Sequence, residues 1–160
     1  QRIMNMPDYN YCQPAEVRQA LIDGAEVALI DVREEAVFAT NHPLFAANLP
    51  LSKLELEIFR RVPRLTTPIT LYDNGEGLAE QALERLQRWG YQDVALLAGG
   101  LTGWQRSGGG LFQDVNSPSK AFGELVESER QTPSLSAEEV KALIEGPTPV
   151  VVVDARRFEE

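Results

Sequence analysis

Residues Ile69–Trp89 read ITLYDNGEGLAEQALERLQRW, and this stretch decides the fold. Its first four residues form an uninterrupted β-favouring run, as in a strand that is buried on both faces. The next five, Asp73–Gly77, are typical of a tight polar loop. From about Leu78 to Trp89 the apolar residues recur at helical spacing and share one face. The stretch therefore predicts a buried strand, a tight loop and a helix.

The same alternation continues on both sides of this stretch. Apolar runs at Val27–Ile30 and Val94–Leu97 predict two more buried strands. Helices are predicted at Pro14–Asp23, at Glu34–Ala39, at Lys53–Val62 behind a Ser52 cap, and after Gly99-Gly100, with Ala47–Leu51 extended between them. Because parallel strands need crossover connections, this order predicts an α/β domain with a parallel sheet and helices on both faces.

Composition limits the class of protein and its partners. The 160 residues suffice for one domain with some chain left over. A net charge of −9 argues against nucleic acid or an acidic membrane as partner. The single cysteine, Cys12, excludes an internal disulfide, and no apolar stretch is long enough to span a membrane. We therefore expect a cytoplasmic protein whose partners are small molecules or proteins.

The end of the chain repeats its beginning. The chain is polar from Leu111 to Pro133, as in a connector in which Phe122, Leu125 and Val126 could form one amphipathic helical turn. It then resumes the earlier pattern of helix, apolar run and Asp-x-Arg. Asp154 follows Asp31 by 123 residues, and the same offset pairs Val17 with Val140 and Val27 with Val150. We therefore predict a first domain at 1–112, a linker at 113–133 and, at 134–160, the truncated start of a second copy.

Both ends of the chain are expected to be cut. The first residue is Gln1 rather than Met, and the sequence stops shortly after the strand-like run Val150–Asp154. A strand without its own sheet presents unpaired backbone groups. We therefore predict that Val150–Asp154 pairs with a neighbouring chain or belongs to a longer one.

Several separated motifs resemble those of the rhodanese family of sulfurtransferases. They are LIDVRE at Leu29–Glu34 with Phe38, NHP at Asn41–Pro43, AANLPL at Ala46–Leu51, LY at Leu71–Tyr72 and LAGGLTGW at Leu97–Trp104. The resemblance covers residues 14 to about 110 in family order and begins again after Leu135. It implies the rhodanese fold, with a second rhodanese-like domain of the same parent chain as partner.

The resemblance also implies where chemistry should lie. Active members carry a nucleophilic cysteine at the start of the loop after the central strand and a basic or small polar residue at its end. Here Asp73 stands at the cysteine position and Leu78 at the last position. A carboxylate cannot carry sulfur as a persulfide. The active-site-equivalent loop, Asp73, Asn74, Gly75, Glu76, Gly77 and Leu78, is therefore predicted to hold no catalytic residue.

Asp73 has two interpretations. In the one we favour, its side chain accepts hydrogen bonds from N–H groups of the loop or the next helix, as a cap does. In the other, Asp73 and Glu76 bind a metal or act as an acid–base pair. The only histidine, His42, lies far from them in the sequence. We therefore expect no metal and no cofactor.

The remaining motif residues are interpreted as structural. Asp31 and Arg33 are predicted to form a charge pair at a strand end. We expect His42 to contact backbone in a turn, Gly99 and Gly100 to form a tight turn, and Trp104 to lie in the core. Cys12 has no neighbouring base and is interpreted as a small apolar residue.

Two functions remain open. In the first, the chain is a catalytically silent rhodanese-like domain of a multi-repeat sulfurtransferase, which takes a small sulfur donor such as thiosulfate on a cysteine outside this chain. In the second, it is a non-enzymatic binding or regulatory module. The phosphatase branch of the fold ranks last, because it also needs a loop cysteine and a basic anion cradle.

Overall fold

The computed structural model describes residues 9–130 and 133–153. The chain forms two compact units, which meet in sequence between Ala121 and Phe122. The elements of the first unit are β1 Tyr11–Cys12, α1 Pro14–Ile22, β2 Ala28–Asp31, α2 Glu35–Phe38, β3 Ala47–Asn48, α3 Leu54–Arg61, β4 Ile69–Tyr72, α4 Leu78–Arg88, β5 Val94–Leu97 and α5 Gly100–Arg106. Two further helices follow, α6 Ser117–Arg130 and α7 Ala137–Glu145.

The first unit is built on a five-stranded sheet in the order β1-β5-β4-β2-β3. Every neighbouring pair is parallel; for example, Ala28 to Asp31 of β2 pair in register with Ile69 to Tyr72 of β4. All four residues of β4 are buried, as are all four of β5. These central strands are covered on both faces, which explains their continuous runs of β-favouring residues.

Two groups of helices supply the two covers. On one side, α3 and α4 pack Leu54, Ile58 and Leu86 against the sheet. On the other, α1 and α5 contribute Val17 and Trp104 to a second cluster. The predicted α/β class, with a parallel sheet and helices on both faces, is confirmed.

One local prediction was wrong, and two segments are defined more closely by the structure. Ser52 does not cap α3: its hydroxyl donates to Glu34 Oε1 at 2.7 Å, and Lys53 occupies the cap position. Pairing with β2 defines only Ala47–Asn48 as strand within the extended segment. The polar connector is largely helical: Ser117–Arg130 (SPSKAFGELVESER) begins with Ser-Pro, and seven of its fourteen residues are strong helix formers.

Helix α7, in the second unit, matches the first helix of the chain in length and in its start signal. Both α1 and α7 have nine residues, and α7 begins 123 residues after α1. Each carries a glutamate at its third position that accepts from the backbone N–H of the cap residue, Glu16 from Gln13 at 3.3 Å and Glu139 from Ser136 at 2.6 Å.

The apolar run after α7 does not form a strand. Val150–Val153 pair with no other part of the chain that the structure describes, and their side chains are 41–87% exposed. A strand requires a hydrogen-bonding neighbour, and none is supplied by the described residues. Asp154, the last residue of the predicted strand, lies outside the described residues.

Candidate functional site

The loop Asp73–Leu78 connects the buried strand β4 to α4, at the carboxyl end of the parallel sheet. In open parallel α/β sheets this end is where ligands bind. A cavity of about 350 Å³ lies here, lined by Asp73, Asn74 and Gly75 together with Glu80 of α4 and Thr102 of α5. The turn residues Gly99 and Gly100 form part of its wall.

The Asp73 carboxylate is bonded to the backbone of its own loop and of the following helix. Its Oδ1 accepts from the N–H of Gly75 at 2.9 Å, and its Oδ2 accepts from the N–H groups of Leu78 at 2.7 Å and Ala79 at 3.1 Å. Asp73 is 6% exposed. Since Leu78 and Ala79 open α4, the carboxylate satisfies two N–H groups that have no partner within the helix.

The local sequence explains why Asp73 can reach the helix. Gly77 occupies the cap position with φ 78°, a left-handed conformation in which glycine carries no penalty, and it has no side chain to cap α4. The capping role therefore passes to Asp73, at the start of the loop. A negative charge at this place is also favoured by the positive end of the helix.

The rest of the loop is held by short contacts. The N–H of Asn74 donates to the Glu76 carboxylate, and the Thr102 hydroxyl donates to Asn74 Oδ1 at 3.1 Å. Leu78 packs against the core cluster beneath α4 rather than lining the cavity. Glu76 is therefore engaged with the backbone of its own loop.

The turn after β5 supports the same loop from beneath. The N–H of Leu101 donates to the carbonyl oxygen of Asp73 at 3.0 Å. Gly100 has φ 56°, and a Cβ built there would lie 2.6 Å from that oxygen. A glycine is therefore required where this turn touches the loop, and Trp104 follows in the core with 5% exposure.

The cavity is acidic. Asp73 and Glu80 are among its lining residues, and none of the described residues that line it is Lys, Arg or His. The Oε2 atom of Glu80 is buried and has no hydrogen-bond partner among the described residues. An anionic substrate entering this cavity would meet carboxylates without a compensating cation.

Asp31 and Arg33 form a buried pair at the end of β2. The Arg33 guanidinium donates to both Asp31 oxygens, with Nη2 to Oδ2 at 2.6 Å and Nε to Oδ1 at 2.9 Å. Burial works to lower the Arg33 pKa, but the hydrogen bonds and charge of Asp31 outweigh it, so that the pKa is raised. Arg33 Nη2 also donates to the Asn41 carbonyl at 2.8 Å, which ties β2 to the following turn.

Tyr72, the last residue of β4, lies beside this pair. Its ring centroid is 5.9 Å from the Arg33 guanidinium carbon. Its hydroxyl is buried and has no hydrogen-bond partner among the described residues. Burial, reinforced by the charge of Asp31, raises the Tyr72 pKa. Tyr72 is therefore a neutral core residue beside the loop.

His42 is buried and contacts backbone, away from the loop cavity. Its Nδ1 lies 2.7 Å from the Pro43 carbonyl oxygen and its Nε2 lies 2.7 Å from that of Asp114. The ring stacks on Phe38 with a centroid distance of 3.8 Å, and the His42 backbone pairs with Phe112. These contacts extend the packing of the first unit beyond residue 112, where its end is predicted from the sequence.

Cys12 is not part of the loop cavity. It lies on the edge strand β1, opposite Leu97, and it lines a different cavity of about 300 Å³ with Glu16 and Thr70. None of the described residues that line this second cavity is Lys, Arg or His. The described residues around this cavity therefore supply no cation of the kind that activates a cysteine.

Residues 9–130 and 133–153 contain neither a metal-binding cluster nor a membrane-spanning helix. Within these ranges, no cluster of three or more His, Cys, Asp or Glu side chains is arranged to hold a metal ion. No helix in the described part of the chain is both long and apolar enough to cross a membrane.

The sheet, the loop and the supporting turn define a class of protein. A model of the rhodanese-like domain family matches residues 13–107, so this chain belongs to that family. It is 63% identical to the thiosulfate sulfurtransferase from Pseudomonas aeruginosa, with a TM-score of 0.90, over 94% of this chain and 29% of that one.

Two further relatives complete the comparison. The chain is 33% identical over 92 residues to the uncharacterized protein slr1261 of Synechocystis sp., covering 58% of this chain and 50% of that protein. It therefore spans about half the length of this curated relative. The Alr3790 protein from Anabaena sp. shares the fold at 22% identity, with a TM-score of 0.60 over 69% of this chain and 99% of that structure.

Of the residues that line the loop cavity, sequence reasoning identified the Asp73–Gly75 segment and the Gly99-Gly100 turn and missed Glu80 and Thr102. Glu80 lies in the first turn of α4, where an acidic residue is also explained by the helix dipole. Thr102 enters the cavity only through the packing of α5. Glu80 carried no further sequence signal, and Thr102 carried none beyond its place inside the motif Leu97–Trp104.

Proposed function

We propose that this rhodanese-like domain transfers no sulfur itself and supports a longer thiosulfate-type sulfurtransferase, whose nucleophilic cysteine lies outside this chain. Family membership and the 63% identity to a thiosulfate sulfurtransferase support the class of reaction. The small share of that enzyme covered by this chain, 29%, supports the view that further parts are needed.

One observation carries the proposal: the Asp73 carboxylate accepts from the N–H groups of Gly75, Leu78 and Ala79. In active relatives, loop amides and a helix N-terminus stabilise a thiolate or persulfide. Here the Asp73 carboxylate accepts hydrogen bonds from the N–H groups of this loop and helix. An oxygen acid cannot bond to a sulfane sulfur and release it again as a persulfide does.

The second unit is proposed to open another rhodanese-like domain, with the linker at 113–133 and the new domain from residue 134. Its helix α7 repeats α1 at an offset of 123 residues. Val17 of α1 is 4% exposed, whereas α7 buries none of its described residues and leaves Leu143 and Ile144 45% and 56% exposed. This apolar face is what a helix presents before its own sheet covers it.

The alternative, a non-enzymatic binding or regulatory module, is favoured by a different observation. Asp73 and Glu80 line the loop cavity, and none of the described residues around it is basic, which suits a protein or cationic partner better than a small anion. In this reading the parent chain also lacks sulfurtransferase activity.

The test is transfer of sulfur from thiosulfate to cyanide, measured as thiocyanate with this chain and with the longer parent protein. We expect no turnover by the chain and turnover by the parent. Turnover by the chain would refute the silent-domain proposal, and an inactive parent would favour the binding module. Mass spectrometry after thiosulfate treatment supplies a second readout. If a sulfur atom is added to the chain and is no longer added in Cys12→Ser, then Cys12 carries sulfur, which would contradict the proposal.

A restored nucleophile tests the loop directly. Asp73→Cys supplies the thiol, and Asp73→Cys with Leu78→Arg also supplies a cation at the end of the loop. Because the cavity is acidic, we expect the double variant to form more persulfide than the single one. This chain with Asp73→Ala is the matched control, because it removes the carboxylate without adding a thiol.

A further inference from the structure

The first unit carries an exposed apolar patch far from the loop, which we call the Phe59 patch: Leu56, Phe59, Leu65 and Trp89. Leu56 is 83% exposed, Phe59 50% and Leu65 38%, and Trp89 is partly buried at the edge of the core. Phe59 and Trp89 have ring centroids 6.0 Å apart, which joins α3 to the end of α4. Leu56 lies one turn before Phe59 on α3, so both side chains project from the same face.

Buried Tyr91 and a backbone hydrogen bond at Leu65 hold the patch in place. Tyr91 is 3% exposed, its ring lies 6.0 Å from that of Phe59, and its hydroxyl donates to the Val62 carbonyl at 2.6 Å. The N–H of Gln92 donates to the Leu65 carbonyl at 2.9 Å, which fixes the loop that carries Leu65. A preformed surface of this kind loses little conformational entropy when a partner binds.

Three exposed arginines adjoin patch residues in the sequence, although the whole chain has a net charge of −9. Arg60 follows Phe59, Arg64 precedes Leu65 and Arg88 precedes Trp89, and all three are exposed. Arg64 is paired with Glu26, whereas Arg60 and Arg88 make no ion pair with any residue in the described ranges.

The carboxylates of α3 offset only one of these two unpaired arginine charges. Glu57 is paired with Arg61, and Glu55, one turn before Phe59, is the remaining acidic residue of α3. Single exposed apolar residues are ordinary on protein surfaces. Aromatic and apolar side chains held together, with exposed arginines at neighbouring sequence positions, match the composition of protein-binding surfaces.

We propose that the Phe59 patch is a docking site for an acidic segment of a partner protein, with apolar side chains of that segment seated on Phe59 and Trp89. Its carboxylates pair with Arg60 and Arg88, whose charges are not neutralised by ion pairs within the described chain. The site is separate from the proposed loop function, because the eleven residues of α4, about 16 Å of helix, lie between Asp73 and Trp89.

The test uses the full 160-residue chain and a synthetic helical peptide of leucine and glutamate, with a leucine–lysine peptide of the same pattern as control. Binding is followed by Trp fluorescence and mapped by amide chemical shifts. We expect the acidic peptide to bind with shifts centred on Phe59 and Trp89, and the basic peptide to bind at least tenfold more weakly. Raising the salt concentration should weaken binding of the acidic peptide.

Charge reversal then distinguishes a specific site from general attraction. Arg60→Glu with Arg88→Glu should lower the affinity at least tenfold, whereas Arg106→Glu, an exposed arginine at the end of α5, should change it less than twofold. Equal binding of both peptides, shifts centred elsewhere, or no binding would overturn the proposal. Sedimentation of the free chain is the remaining check: a dimer abolished by Phe59→Glu would mean that a second copy covers the patch.

Discussion

Replacing Asp73 by alanine should destabilise the first unit by about 2–3 kcal/mol. Loss of an ordinary N-cap side chain costs about 0.5–2 kcal/mol, and a net hydrogen bond to a charged group contributes about 1.5–3 kcal/mol. Asp73 accepts three N–H groups while 6% exposed, so its loss should exceed that of a simple cap. Water entering from the cavity would satisfy some of these donors, which keeps the loss below the sum of three bonds.

The assay is urea unfolding followed by Trp fluorescence. Both tryptophans, Trp89 and Trp104, belong to the first unit, so the signal reports this unit alone. Asp73→Asn should lie between wild type and Asp73→Ala, because an amide keeps one acceptor oxygen and turns its NH₂ toward a backbone donor. Asp93→Ala, an exposed aspartate, is the matched control and should change stability by less than about 0.5 kcal/mol. A loss below about 0.5 kcal/mol for Asp73→Ala would refute the capping role.

Three other predictions follow from contacts in the same unit. The hydrogen bond to Glu84 raises the Tyr9 pKa to about 12, so the late ionisation seen in an alkaline absorbance titration should be missing from Tyr9→Phe. Because the pKa is higher in the folded protein than in the unfolded chain, this contact stabilises the fold below about pH 10. The stabilisation is lost as the pH rises toward 12. Asp31→Ala should cost about 3–5 kcal/mol in urea unfolding, since it leaves the buried Arg33 charge unpaired, and Asp31→Ala with Arg33→Met should recover part of that loss. Gly100→Ala should lower stability by at least about 1 kcal/mol, because a Cβ there meets backbone at 2.6 Å and the residue has a positive φ; an unchanged unfolding midpoint would contradict this close approach.

Local pattern predicted the elements that depend on it. The strands at Ile69–Tyr72 and Val94–Leu97 have the predicted bounds, because both are buried on two faces and read as unbroken runs. The two-residue strand Tyr11–Cys12 was missed, since only its pairing with β5 defines it. At Val150–Val153 a strand was predicted and none forms. The residues have a strong strand propensity, but none of the described residues pairs with them.

The candidate site shows the same division. Asp73 could be identified because it stands at the position of the cysteine in the family that the motifs resemble, and a carboxylate before a helix has a capping role available. The acidity of the cavity could not be foreseen, because Glu80 and Thr102 come together with the loop only in three dimensions. The Phe59 patch could not be predicted from the sequence either. Trp89 fits the apolar helical pattern whether its side chain is fully or, as here, only partly buried.

The Asp73 carboxylate also changes what the loop offers to anions from solution. It is tethered a few bonds from the N–H groups of Gly75, Leu78 and Ala79, so its effective concentration at these donors far exceeds that of any free solute. A dissolved anion must displace this internal competitor and then tolerate its charge nearby. Occupancy of the loop by free anions should therefore respond only weakly to their concentration, as in a receptor whose own side chain is the resident ligand.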